Sequence, residues 1–147
     1  MKQSLMKLGP SLLGVAAILA CGSDSTAPTA TVTGTYSATE FTTTGSSGQT
    51  NQILVGSTVF LNLSGNGTLS GHLHLAATNA NPVFDADMAG TWTQVGSTVT
   101  FSQTADTFIR NMTFDVVTNG NRWQLVGNQV FSGTQIQIKL DQLSAID

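Results

Sequence analysis

Polar and apolar residues alternate almost without a break over residues 84–140. Phe84, Ala86, Met88, Gly90 and Trp92 share one face, and Asp85, Asp87, Thr91 and Thr93 share the other. The same rhythm sets Val99 and Phe101 against Thr98, Thr100 and Ser102. It sets Phe108, Arg110, Met112, Phe114 and Val116 against Asn111, Thr113 and Asp115, then Ile136, Ile138 and Leu140 against Gln135, Gln137, Lys139 and Asp141. A period of two is the signature of a strand with one dry and one wet face. Gly96-Ser97, Asn119-Gly120 and Ser132-Gly133 are two-residue hairpin signals, and Ala105-Asp106 stands where one more turn is needed. Folding about those centres predicts Trp92 opposite Phe101, Phe101 opposite Arg110, Arg110 opposite Gln129, and Gln129 opposite Ile136. Apolar faces then meet apolar faces, and a slip of one residue would expose all of them.

Upstream, strands are predicted over 32–44, through Val59, Leu61 and Leu63, and through Leu69, Leu73 and Leu75. The later strands run over 83–94, 98–103, 107–117, 121–131 and 134–142. Residues 43–51 read as a polar Gly/Ser loop, the longest connection. No segment after Cys21 keeps a 3.6-residue period, so the expected class is all-β. Eight antiparallel strands with one dry face close into a barrel or split into a sandwich. The sequential hairpins favour an up-and-down (meander) β-barrel over residues 32–143, with the last strand pairing the first. Tyr36, Phe84, Trp92, Phe101, Phe108, Phe114 and Trp123 are expected to point inward, with Phe131 at a strand end. Gly71, Gly90 and Gly127 share that face, where they coil the sheet or make room for a guest.

The first residues change the picture of where the chain works. Lys2 and Lys7 precede an apolar stretch over 8–20 that is too short for a stable bilayer span. Ile18-Leu19-Ala20-Cys21 resembles the lipobox of bacterial lipoproteins, which implies a signal peptide over 1–20 and a lipidated Cys21. Residues 21–31 would be a flexible Ser/Thr/Pro-rich tether, whose last ten residues reach roughly 33 Å when extended. Ser23 stands where an inner-membrane retention Asp often sits in such sorting signals, so an outer-membrane or surface place in the cell envelope is expected. The lone Cys forms no internal disulfide. Once the signal is removed, Arg110, Arg122 and Lys139 are the basic residues left against eight acidic ones. That balance argues against nucleic acid and against a polybasic membrane surface.

Met88-Ala89-Gly90-Thr91-Trp92, followed by Val99, Phe101 and Met112-Thr113-Phe114, resembles bacterial lipocalin-like domains. Gly34-Thr35-Tyr36 is similar to their opening Gly-x-aromatic. The resemblance implies a calycin-type barrel and a small hydrophobic or amphipathic ligand. The chain lacks the C-terminal helix of long lipocalins. Gly56-Ser57-Thr58 and Gly67-Thr68-Leu69-Ser70-Gly71 are similar to avidin-type strands, but Leu73 and Leu75 replace the Tyr and Ser that such proteins place on biotin.

Arg110 is the oddest residue, a guanidinium on an apolar strand face. An unpaired buried charge costs several kcal/mol, so it must be satisfied. The predicted register offers Gln129 for a hydrogen bond, and Phe101 and Trp92 for stacking. That is either a structural stack or a site where Arg110 and Gln129 meet a ligand carboxylate, with Trp92, Phe101 and Met112 lining it. His72 and His74, set opposite Asp87 and Asp85, have the side chains for a zinc site on the outer wall. Solvated cross-strand His–Asp pairs are the plainer reading. No nucleophile elbow, phosphate loop or metal helix is present, and no cofactor is implied.

Two functions are therefore expected to compete. One is a non-catalytic, lipid-anchored barrel holding a small apolar or amphipathic molecule. The other is a structural or protein-interaction module with a filled core. An open interior cavity favours the first, and a solid core favours the second.

Overall fold

The computed structural model describes residues 31–79 and 81–144. The predicted signal segment, Cys21 and nearly all of the tether lie outside them. Among the described residues nine strands form one antiparallel sheet: β1 (Gly34–Gly45), β2 (Gly48–Asn51), β3 (Thr58–Leu63), β4 (Thr68–Leu75), β5 (Phe84–Val95), β6 (Thr98–Gln103), β7 (Thr113–Asn119), β8 (Arg122–Phe131) and β9 (Thr134–Ser144). Each strand from β3 to β9 pairs with its neighbour in sequence, and β1 pairs with both β3 and β9. The sheet therefore closes as an eight-stranded meander barrel. β2 is a ninth, short strand that folds back on the upper end of β1 through Ser46 and Ser47. The stretch read as the longest loop is thus mostly a tight hairpin.

Turn chemistry explains most of the register. Ser132 and Gly133 both have positive φ (49° and 77°), the type I′ geometry that matches the strand twist, and Gln129 lies opposite Ile136 as expected. Trp92 lies opposite Phe101, and His72 and His74 lie opposite Asp87 and Asp85. The hairpin after β7 differs. Gly120, with φ 62°, takes the first central position and Asn121 the second, so the turn is Gly-x rather than Asn-Gly. That moves the β7–β8 register by two residues and places Phe114, not Met112, opposite Gly127. The β6–β7 register moves by two as well, with Val99 opposite Phe114. A shift of two keeps every side chain on its own face, so the dry face survives although the partners change.

The interior is full. Tyr36, Phe41, Phe101, Phe114, Met88 and Met112 are among its completely buried side chains, packed with leucines from β3, β4, β8 and β9. Phe101 and Phe114 stack at 4.7 Å between ring centres, and Phe41 lies 5.3 Å from Phe108. Tyr36 and Phe41 both point inward despite odd spacing, because a bulge at Thr39 puts one extra residue in β1 against β9. Trp123 is half-buried, whereas Phe84 and Phe131 are exposed at strand ends beyond the packed layers. Gly127 makes room for the barrel's own side chains, not for a guest: a Cβ there would come within 2.4 Å of Met112 Cε and 2.7 Å of the Phe114 ring.

The strands meet two unlike ends. At one, the connections between β3 and β4, β5 and β6, and β7 and β8 are tight turns. At the other lie the longer connections 52–57, 76–83 and 104–112.

Candidate functional site

β5 and β8 are long and β6 and β7 are short, so the wall is notched at the long-loop end. Residues 104–112 fill the notch. They were expected to begin a strand at Thr107; instead they form a compact turn. The Arg110 N–H donates to Thr107 O (3.1 Å), the Met112 N–H to Ile109 O (3.4 Å), and Thr107 Oγ1 accepts from the Ile109 N–H (3.4 Å). Arg110 Nη1 pairs with Asp106 Oδ1 at 2.9 Å, four residues back. Ala105, Phe108, Ile109 and Met112 are buried and plug the barrel. Ile109 carries the physical reason: an isoleucine on the wet side of a strand would stay exposed, whereas a turn buries it beside Phe108.

Arg110 is consequently not inside the barrel. Its side chain is 52% exposed and faces Asp106, and it neither stacks on Phe101 or Trp92 nor lies opposite Gln129. Gln129 is half-buried, and its amide nitrogen donates to Phe108 O. Trp92, Phe101 and Met112 are core side chains. Arg110 and Gln129 do share a surface cleft of about 200 Å³ with Asp106, Thr107, Phe108, Asn111 and Phe131. A second, shallower cleft of about 500 Å³ lies on the other side of Arg110 and Asn111, against Ala89, Thr91, Ser102 and Thr104. Both are lined by the 104–112 connection and neighbouring strands. Of the residues lining the smaller cleft, only Arg110 and Gln129 are site residues in the sequence reading; an acidic residue four before Arg110 is the signal that could have added Asp106.

One polar group near the second cleft is unusual. Gln103 is buried, and its Oε1 accepts from the Ala105 N–H at 2.6 Å, yet its Nε2 has no partner among the described residues. Buried donors normally find an acceptor.

On the outer wall, the histidines and aspartates form a ladder. His72 Nδ1 lies 2.9 Å from Asp87 Oδ1, His72 Nε2 lies 3.3 Å from Asp85 Oδ1, and His74 Nδ1 lies 2.7 Å from the same Asp85 oxygen. The hydrogen bonds to Asp87 and Asp85 raise the His72 pKa above its ordinary value. Those from His74 and then His72 lower that of Asp85. The side chains bond to one another while the carboxylates stay half to almost fully exposed, and no cluster of three or more His, Cys, Asp or Glu among the described residues has a metal-holding arrangement. Among the described residues Tyr36 is a further perturbed group: burial pushes its phenol well up, and its hydroxyl donates to Val32 O at 2.8 Å.

No protein-family model, curated protein or solved structure matches the chain.

Proposed function

We propose that this protein is a non-catalytic binding module with a filled core, which meets its partner outside the barrel at the long-loop end. The observation that carries this is the interior, where Met112 and Phe114 occupy the space beside Gly127 and Phe108 and Ile109 plug the mouth. A closed eight-stranded barrel is wide enough to hold one small molecule or its own side chains; this one is occupied by its own. The connections at that end sit on a rigid scaffold, the usual arrangement for recognition. An NMR titration with fatty acids and other small lipids tests the reading. No ligand is expected to move the Phe101 or Phe114 ring resonances, and a saturable shift of both would put the ligand inside and overturn it.

A second reading rests on the smaller cleft. Arg110 beside Phe108 and Phe131 offers one cation at the edge of an aromatic floor, which suits the carboxylate and short apolar tail of an amphipathic molecule. Arg110→Met should abolish such binding and leave the melting temperature unchanged.

The lipobox-like start supports attachment to the bacterial cell envelope through Cys21, and the Gly-x-Trp strand supports kinship with lipocalin-like domains. Replacing Cys21 with Ser should move the protein from the membrane fraction to the soluble one.

A further inference from the structure

The wall of the barrel has an open edge. β5 pairs with β4 along Phe84 to Thr91, but with β6 only from Gly90 onward. The Ala89 N–H and C=O both face the β6 side, bonded to Thr104 Oγ1 (3.3 Å) and the Thr104 N–H (3.1 Å). Trp92, at the opposite parity, turns its N–H toward Gly67 on the β4 side. Strand alternation therefore points the backbone N–H and C=O groups of Asp85 and Asp87 the same way as those of Ala89. Among the described residues, no backbone group meets them there. The 104–112 connection reaches β5 only at Ala89, through Thr104, and borders Ala89 and Thr91 across a cleft at Arg110 and Asn111, while Phe108 packs toward Gln129 of β8.

We propose that this edge takes an extended peptide by antiparallel strand addition, the peptide alternating basic and small apolar residues. The proposal rests on the surface-binding reading above and names its partner. The hydrogen-bonding positions are Asp85 and Asp87, whose side chains are 50% and 95% exposed on the outer wall. Residues set opposite them share that wall, so Lys or Arg there meets two carboxylates. Residues between them face inward over half-buried Ala86 and exposed Phe84, a surface suited to valine-sized side chains. An unpaired strand is a ready template, and main-chain bonds supply affinity while alternate side chains supply specificity.

The same carboxylates select against other occupants. A second copy docked edge to edge would set Asp85 and Asp87 against their own kind, and like charges directly opposite repel. Residues 22–31 of this chain contain no Lys or Arg to meet them.

The test titrates the full ¹⁵N-labelled chain with a capped peptide of alternating lysine and valine. The Asp85 and Asp87 amides should shift most and gain protection from exchange. N-methylating the lysine residues, whose N–H groups would face β5, should weaken binding about tenfold or more; N-methylating the valines should change it less than about threefold. Asp87→Pro removes an edge donor without touching the β4 ladder and should weaken binding about tenfold. Asp87→Asn, which keeps the donor, should cost only about two- to threefold. No binding, equal binding of the lysine-methylated peptide, or equal loss in the Pro and Asn variants would overturn strand addition. Adding lauric acid to the same sample separates the two layers. Movement of the Phe101 and Phe114 rings sinks the surface-binding reading itself, whereas silent rings with no peptide binding sink only the docking proposal.

Discussion

The two ends of the barrel are held by different means. At the short-turn end, the chain before β1 is strapped to the barrel by side chains that bond to backbone. Tyr36 donates to Val32 O, Gln142 Nε2 donates to Thr33 O (2.8 Å), and Gln142 Oε1 accepts from the Trp123 N–H (3.1 Å). Trp92 Nε1 reaches Ser64 O at 3.0 Å, tying β5 to the β3–β4 turn. The long-loop end has such bonds too, from Gln129 Nε2 to Phe108 O and from the Ala76 N–H to Ser57 Oγ (3.0 Å), but its mouth is closed by an apolar plug with an exposed ion pair and a buried amide nitrogen that meets no partner among the described residues. Leu54, Val55, Val83, Phe84 and Phe131 are exposed there. Each end also buries one side-chain polar atom that meets no partner among the described residues, Asn62 Oδ1 beside the β3–β4 turn and Gln103 Nε2 beside the plug, so the expected difference in stability rests on the side-chain straps and the short turns.

The contrast breaks most severely at Trp92. Trp92→Ala removes a buried ring and its hydrogen bond, and should cost about 3–5 kcal/mol in urea denaturation. A loss below about 1 kcal/mol would mean that the short-turn end is not the stable one. Gln142→Ala removes the side-chain bonds to the Thr33 carbonyl and from the Trp123 N–H, for about 1–3 kcal/mol by the same measurement. Hydrogen exchange sharpens the comparison without mutation: amides of 104–112 should open at lower free energy than those of β8 and β9. At the mild extreme, Asp106→Asn breaks an ion pair in water and should shift stability by no more than about 1 kcal/mol.

The outer-wall ladder gives a pH profile whose sign follows from its two shifted groups. His72 is raised, so its contribution is complete below its ordinary value near 6.5 and disappears as pH climbs through the higher folded value. Asp85 is lowered, so its contribution is complete above its ordinary value near 3.8 and disappears as pH falls through the lower folded value. The ladder should therefore stabilise most in the mildly acidic window between them. An upward-displaced His72 imidazole titration by NMR, reduced in Asp87→Asn because the bond to Asp85 remains, is the expected observation.

Alternation and turn residues made the wall legible from sequence: closure, inward faces, and the pairings of β4 with β5 and β8 with β9 all follow from them. They failed where a local device overrides the pleat. The Thr39 bulge hid Phe41 from a period-two reading. Gly120 competed with Asn119 for the turn and won, because glycine alone fits the first position of a type II′ turn without strain. The site was hardest to read. Arg110 sits at an inward parity only if residues 107–112 are a strand, and Asp106, Thr107 and Ile109 together make a turn more favourable.

Thr35 and Ser144 are neighbours across β1 and β9. The described chain thus enters and leaves side by side at the strapped end, opposite the exposed rim. A short linker across that gap, with new termini cut at Ser46-Ser47, should give a circular permutant that folds. Grafted onto a bead or a carrier by its original ends, the molecule would present the β5 notch outward, as a display scaffold requires.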